Sequence, residues 1–557
     1  MRSVGSGAMT AAITDRGSDA AGAARLRLAR LRSSVGPAGR FRSGVWPGML
    51  LVGALAILVN APAVVPQILH GGFNADDWFW QATARYGSGI GGLHPVGAHP
   101  GLFGAFSALH PQFEARPAAL LYYAPLHWFF GVHMKVYMAL SAVLPVLLAP
   151  LVFALLRSLS VPLLHAGAIG VLTSLFPYAD STRFWSSGSE SLLSVLLFVA
   201  GLSIALSGLR AHRVASSRHG RILRCVSLGL YVLSVLTNQI TIGLIVAAGL
   251  LYLGVTDRRT ALRRWIVDAG VCVAVVAYFS HLSGKPKVTP DLSRIEFIYG
   301  HALYVVSASL DPFDALESRS GVVVMLVVIA VAAVACLLLP KGDQVRRDLV
   351  RWLRLAAAAA VWIVFAWAPL LPTLGYDPRS GQNANRINIA AAIGTVALAY
   401  AVVMLAAYLV GRPRPALALG LALAAIIGFQ YGKTTVSDGQ AWIGAFREQE
   451  KVLASISLHA RYPPPDSTIF ISGSPLQYEG IDVFAAPFEI EGAIKVQLHD
   501  PTIRGVVLPS GGKVPCTKTG ISEGIPYGSA YLLDVATGQI VRLTSPAICA
   551  QANKLLT

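Results

Sequence analysis

The chain has 557 residues, 54% of them hydrophobic and only 13% charged, with a mean hydropathy of +0.59. Soluble chains carry about 25% charged residues, so soluble folds are excluded. A formal net charge of +17 would suit a nucleic-acid binder with one basic patch, but these arginines fall in short loops on alternate sides of apolar runs, which excludes nucleic acid as a partner and marks a multi-pass membrane protein.

In chain order, residues 1–45 are rich in Arg, Gly, Ser and Ala, with Arg25, Arg27, Arg30, Arg32, Arg40 and Arg42 nearing the membrane. They lack a compact apolar core with a cleavage site, so they read as a disordered basic cytoplasmic tail leading into a signal-anchor helix. A hydrocarbon core of ~30 Å needs about 20 apolar residues per helix. About eleven runs fit that ruler: 46–69, 135–156, 160–178, 189–209, 223–238, 240–255, 266–282, 321–339, 355–374, 389–410 and 416–432. Arg157, the arginines within 210–224 and 258–264, the basic residues within 341–354, and Arg412 with Arg414 mark the cytoplasmic loops. The topology is therefore N-terminus in and C-terminus out.

Three segments on the outer side are long. The first outer loop, 70–134, holds Asp76-Asp77 and then Pro117-Ala118-Ala119-Leu120-Leu121-Tyr122-Tyr123-Ala124-Pro125-Leu126-His127-Trp128-Phe129-Phe130. That apolar stretch is too short to span and its Tyr and Trp suit an interfacial helix. The second, 283–320, mixes Lys285, Lys287, Asp291, Arg294 and Glu296 with apolar residues. The third, 433–557, changes character: a helix over 436–459, a break at Pro463-Pro464-Pro465, then strand-like Thr468-Ile469-Phe470-Ile471-Ser472, 505–508 and 530–535. The predicted fold class is a polytopic all-α membrane domain over 46–432 with a small C-terminal α/β or α+β extracytoplasmic domain over 433–557. Cys225, Cys272 and Cys336 read as small buried hydrophobes. Cys516 and Cys549 lie in the outer domain, where an oxidising compartment permits a disulfide, and they are expected to be bridged.

The residues that carry chemistry gather in the outer loops. Two adjacent carboxylates sit among aromatics in Phe73-Asn74-Ala75-Asp76-Asp77-Trp78-Phe79-Trp80. Ionisable groups at a membrane surface in so apolar a setting are retained for chemistry or ligand contact. The bland reading is an N-cap, which accounts for one Asp but not for two. His110, His127, His133, His281 and His301 read as amphipathic packing residues. Arg116-Pro117 and Phe129-Phe130-Gly131 follow before the second helix, and Phe176-Pro177 through Trp185 lies between the third and fourth. Pro369-Leu370-Leu371-Pro372 and Arg386 come between the ninth and tenth.

This order over residues 46–410 resembles the GT-C superfamily of polyprenyl-phosphate-sugar-dependent glycosyltransferases, which includes protein O-mannosyltransferases, aminoarabinose transferases of lipid A and arabinofuranosyltransferases. The resemblance implies transfer of a sugar from a polyprenyl-phosphate donor to a glycan, lipid or protein acceptor of the cell envelope, at the outer face of the plasma (inner) membrane. It places the catalytic carboxylate on Asp76 or Asp77, leaning to Asp76, the first member of the pair. It nominates Arg386 for the donor phosphate, with Arg379 and Arg116 behind it; the bland alternative for Arg386 is a helix-end cation snorkelling to the surface. Asp180 stands one residue before the usual second acidic position, where this chain has Ser181, and a divalent metal is left open. Thr237-Asn238-Gln239 stands where many relatives carry Ser-Lys-Glu. The competing readings are a lipid-linked sugar flippase or transporter and a non-catalytic envelope scaffold. No internal repeat supports transport.

Overall fold

The computed structural model describes residues 37–87, 101–212, 218–282, 289, 291–310, 343–373, 376, 378–379, 381, 383–409, 412–459, 463–521 and 524–555. The expected span 321–339, Cys336 and most of the 1–45 tail lie outside them. The chain divides at Leu51 into an N-terminal unit and a unit Val52–Thr557 that carries nearly every element.

Helices are α1 (Pro37–His70), α2 (Asp76–Tyr86), α3 (Leu102–Leu109), α4 (Pro117–Phe130), α5 (Met134–Ser158), α6 (Leu163–Leu175), α7 (Ser189–His212), α8 (Arg218–Thr237), α9 (Ile242–Leu253), α10 (Arg258–Leu282), α11 (Leu292–Leu310), α12 (Asp343–Trp367), α13 (Ile389–Tyr408), α14 (Pro413–His459), α15 (Pro487–Leu498) and α16 (Pro546–Leu555). Among the described residues, eight helices are long and apolar enough to cross a membrane, and the shorter apolar Leu163–Leu175 and Gln239–Leu253 match two more expected runs. The chain is a polytopic helical membrane protein with a small C-terminal α/β region.

One expectation is corrected. The last span and the helix expected at 436–459 are a single 47-residue helix, α14, about 70 Å long at 1.5 Å per residue. Lys433 and the polar residues after it mark the end of the apolar run, but 433–459 contains no proline to stop the helix. Pro463-Pro464-Pro465 is where the chain must turn. The boundary expected at 432/433 therefore falls inside α14, whose C-terminal half packs into the core of the C-terminal α/β region.

That region is an open sheet in the order β4-β1-β5-β6, made of β1 (Thr468–Ser472), β4 (Arg504–Val507), β5 (Ala530–Asp534) and β6 (Ile540–Leu543), beside a hairpin of β2 (Gln477–Tyr478) and β3 (Ile481–Asp482). β1 is parallel to both β4 and β5, and β6 closes the edge antiparallel. Period-two alternation sorts β1: Ile469 and Ile471 face a core with α15, α14 and α2, while Phe470 faces a second core that includes Cys549. Cys516 and Cys549 form a disulfide. The first core also contains Phe73, Trp78, Trp185, Trp442 and Phe484, so the outer sheet and the Asp76 helix share one interior. Gly492 makes the close approach of α15 to α2 feasible, because a Cβ there would lie 2.7 Å from the Trp78 carbonyl oxygen.

In α1, Asn60 and Gln67 are seven residues apart and so share a face. Asn60 donates to Ser174 Oγ at 3.0 Å and Gln67 to the Phe184 carbonyl at 3.2 Å, which anchors the 174–185 segment over the helix ends.

Candidate active site

The turn 71–75 reverses the chain between α1 and α2, and several elements fix it. A Cβ on Gly72 would strike the Phe446 ring of α14 at 2.2 Å. The Asn74 carbonyl accepts from Trp185 Nε1 at 3.0 Å, and its side-chain oxygen from Gln449 Nε2 at 3.2 Å. Ala75 is held at φ 43°, a conformation that costs an L-residue about 1–3 kcal/mol. It is the N-cap of α2, with no side-chain cap bond, so neither Asp serves as the N-cap. Both lie in the first turn, where the helix dipole favours negative charge.

The structure treats the two carboxylates differently. Asp77 is buried; its Oδ1 accepts from the Ser187 amide at 2.7 Å and from the Ser187 hydroxyl, and its Oδ2 accepts from the Asn74 amide at 3.1 Å. Burial still pushes its carboxyl up to about 7 against those bonds. Asp76 is partly exposed and accepts no hydrogen bond from a described residue. Burial raises its carboxyl above the usual range, Arg386 and Arg116 pull it back, and Asp482 adds to the rise.

Arg386 lies in the 3-10 turn Asn383–Asn388. Its guanidinium stacks over Trp185 at 4.5 Å and faces Tyr376 at 5.9 Å, an arrangement that holds the cation through ring quadrupoles. None of its five N–H donors meets an acceptor among the described residues, and it does not close an ion pair with Asp76. Asp76 and Arg386 thus sense each other, and neither spends its hydrogen-bonding capacity on a described residue.

The other expected residues have partners. Arg116 is paired with Glu190 and lies over Phe113 at 5.5 Å. Asn238 also donates to Glu190, at 3.2 Å, and Gln239 to the Ala115 carbonyl, at 3.0 Å. Thr237-Asn238-Gln239 thus ties α8 and α9 to the Arg116 loop. Arg379 is exposed, and its carbonyl accepts from Asn388 Nδ2 at 2.6 Å. Asp180 is buried; it accepts from Asn385 Nδ2, and its other oxygen accepts from Trp442 Nε1 at 2.9 Å. Burial raises its carboxyl, and those bonds and Arg183 oppose the rise. Asp180 therefore braces the turn that carries Arg386. His127 bonds Gln81 Oε1 at 2.8 Å, and burial drops its imidazole to about 4, so it is a neutral packing group.

Three further residues carry no functional signal in the sequence: two carboxylates that interact with Asp76, and Arg294, which holds Tyr376. Asp482, in β3, accepts from Asn383 Nδ2 and from Gln477 Nε2, both at 2.8 Å. Glu489, in the first turn of α15, is buried and raised to about 8, by burial and then by Asp482. Arg294 in α11 donates to the carbonyls of Thr373 at 2.6 Å and Tyr376 at 3.0 Å, which sets the loop that turns Tyr376 toward Arg386. Each depends on a tertiary contact that no local pattern announces. Among the described residues, no group of three or more His, Cys, Asp or Glu is arranged to hold a metal ion. Asp77 and Asp180 have both oxygens engaged by protein donors, so the residues as placed do not form a metal site.

No family model matches the sequence and no curated protein matches it. Solved structures do. The oligosaccharyltransferase of Archaeoglobus fulgidus, tethered with an acceptor peptide, aligns with a TM-score of 0.39 and 11% identity, over 84% of this chain and 65% of that one. The same enzyme in complex with Zn and sulfate aligns at 0.38 and 13%, over 84% and 63%. ArnT from Cupriavidus metallidurans, bound to undecaprenyl phosphate, aligns at 0.40 and 12%, over 83% and 85%. The chain thus spans less than two thirds of the archaeal enzyme's length in these two alignments. At these TM-scores and identities the likeness assigns no substrate, partner or residue role to this chain.

Proposed function

We propose that the chain is a glycosyltransferase of the plasma membrane that moves a sugar from a polyprenyl-phosphate donor to an envelope acceptor, at the outer face, by inverting displacement. The observation that carries this reading is the Asp76–Arg386 arrangement: a carboxylate that accepts no hydrogen bond from a described residue, and a guanidinium that donates none to one, close enough for the cation to pull the carboxyl down. The topology is N-terminus cytoplasmic and C-terminal domain outside, from the distribution of Lys and Arg.

In the reaction, Asp76 takes the proton of an acceptor hydroxyl as that oxygen attacks the anomeric carbon. The bond from the anomeric carbon to the phosphate oxygen breaks, and its electron pair leaves with the polyprenyl phosphate. Arg386 offsets the growing negative charge with donors still unspent, and Arg116, partly neutralised by Glu190, contributes at longer range. Asp77 does not exchange the proton; it fixes the α2 entry and the 185–188 segment, and so the aim of Asp76 and Trp185. Asp180, through Asn385, holds the turn that carries Arg386. A raised Asp76 carboxyl suits a base that must accept a hydroxyl proton. The intramembrane Asp268 is paired with Arg264 of its own helix at 2.7 Å; Asp268 also accepts from Tyr252 of α9 at 2.8 Å, and Arg264 donates to Ser227 of α8 at 2.7 Å, a set of contacts that favours an interhelical brace over ion-coupled transport.

The test is mass spectrometry of polyprenyl-phosphate sugars and envelope glycans in a deletion strain complemented with wild type or Asp76→Asn. The expected result is that one lipid-linked sugar accumulates, one decoration disappears, and Asp76→Asn at normal abundance fails to restore it. Full rescue by Asp76→Asn would remove the carboxylate from the chemistry and bring the transporter and scaffold readings forward.

A further inference from the structure

The 3-10 turn Asn383–Asn388 is held along two edges. Residues three apart in such a turn eclipse one another, so Asn385 and Asn388 share one edge and Asn383 and Arg386 share the other. The first edge faces buried partners. Asn385 donates to Asp180, and Asn388 donates to the Tyr178 carbonyl at 2.8 Å and the Arg379 carbonyl at 2.6 Å. The second edge is gripped from the β2–β3 hairpin, where Asp482 Oδ2 accepts from Asn383 Nδ2 at 2.8 Å.

Asp482 is itself held. Gln477 Nε2 donates to its other oxygen at 2.8 Å across the β2–β3 hairpin. The hairpin rests on α14, where a Cβ on Gly444 would meet the Tyr478 ring at 2.2 Å. It leaves the carboxyl end of β1, which has β4 on one side and β5 on the other. In open parallel sheets such a switch point is where ligand-contacting loops emerge. Arg386 makes no hydrogen bond to a described residue; ring contacts with Trp185 and Tyr376 hold its guanidinium, and the turn that bears it sets where its backbone sits.

We propose that Asp482 is a positioning residue: through Asn383 it sets the edge of the turn that aims Arg386, which makes the outer domain a working part of the anion site. This rests on the reading in which Arg386 binds the donor phosphate. An Asn at 482 can still accept from Asn383; an Ala cannot.

The experiment titrates the full-length protein in detergent with undecaprenyl phosphate and follows binding by native mass spectrometry. Wild type binds, and Arg386→Ala weakens binding about tenfold, the loss of one modest charged contact. Asp482→Ala and Asn383→Ala, which remove the same bond from either side, each weaken it by roughly fivefold, and Asp482→Asn stays within about twofold. Asp482→Ala placed on Arg386→Ala adds nothing further, as expected for two residues acting in series. Binding unchanged in Asp482→Ala and Asn383→Ala, with Arg386→Ala impaired, overturns the inference and leaves the donor reading standing. An equal loss from Asp482→Ala in both backgrounds also overturns it, since the effect is then general loosening. If wild type fails to bind, or Arg386→Ala binds like wild type, the donor reading itself fails and the inference falls with it.

Discussion

Asp77 and Ser187 are 110 residues apart in sequence and joined twice, the Ser187 amide and hydroxyl both donating to Asp77 Oδ1. The bond pair staples the first turn of α2 to the start of the α7 segment, and Asp76 rides on that staple. Asp77→Ala would strand the Asn74 and Ser187 donors in a buried site, at about 1–3 kcal/mol for each buried group left unsatisfied. It is expected to lower thermal stability by roughly 3 kcal/mol, read as the unfolding midpoint in detergent. Asp76→Asn, with no protein bond to lose, should leave that midpoint nearly unchanged and reduce turnover by about 10²–10⁴-fold, the range for removing a general base. If Asp76→Asn unfolds the protein and Asp77→Ala does not, the division of labour is reversed.

In the proposed reaction turnover depends on pH through Asp76, since a base must be ionised to take a proton. Burial holds its carboxyl above the ordinary 3.8 and Arg386 is the largest influence opposing the rise. The acid limb of the rate profile therefore lies above the ordinary carboxylate range. Arg386→Gln removes the opposing charge and should move that limb to still higher pH, apart from any loss of donor binding. A limb that stays in place, or moves down, would show that Arg386 does not act on the titrating group.

Stability should respond to pH in the opposite direction from a salt-bridged carboxylate. Asp77 rises from 3.8 in its ordinary state to about 7 in the fold, so the folded state holds the proton more tightly. Its contribution is fully present below the unfolded value and is lost as pH rises through the folded one. Between those values unfolding releases a proton, and stability falls by up to about 1.4 kcal/mol per pH unit. Glu489, raised from 4.5 to about 8, adds a slope of the same sign and extends it upward. Thermal melts from pH 4.5 to 8 should show a shallower decline in Asp77→Asn than in wild type; an identical decline would mean that Asp77 does not titrate in this window.

The Asp pair is legible in the sequence as charge beside apolar rings and the two bridged cysteines as thiols in the segment that reads as an outer domain, whereas Arg386 is reached through the order of motifs in the family resemblance. The sequence does not carry the distinction between Asp76 and Asp77, which depends on Ser187 in a distant segment. Asp482 and Glu489 are equally silent, since a carboxylate on a hairpin or in a first helical turn reads as a surface or capping group until the sheet is docked. The continuity of α14 was hidden for a related reason. An apolar run ends where the bilayer ends, whereas the helix continues because Trp442, Phe446 and Gln449 find partners in the outer core.

Trp442 tests how far the frame around Arg386 reaches. Its indole donates to Asp180 at 2.9 Å, and Asp180 holds Asn385, the residue beside Arg386. Trp442→Phe keeps most of the ring volume and deletes a bond to a buried carboxylate, at about 1.5–3 kcal/mol for a hydrogen bond to a charged group. The expected outcome is a lower unfolding midpoint together with weaker undecaprenyl phosphate binding. A lower midpoint with unaltered binding would confine Asp180 to folding.

Gly492 provides the sharpest test that the C-terminal α/β region and the helix bearing Asp76 share one interior. It lies in α15, and a Cβ there would approach the Trp78 carbonyl oxygen at 2.7 Å, its carbon at 2.8 Å and the Phe79 amide nitrogen at 2.9 Å. All three are backbone atoms of α2, which cannot swing aside as a flexible side chain would. Gly492→Ala therefore has to push α15 and α2 apart, at about 1–3 kcal/mol for such overpacking, even though Ala is the better helix former by roughly 1 kcal/mol. The displaced helix carries Asp76, so turnover should fall by more than the loss of folded protein explains. Gly492→Ala with wild-type stability and turnover would mean that α15 can slide freely over α2, and the outer sheet would then no longer be tied to the geometry of the carboxylate.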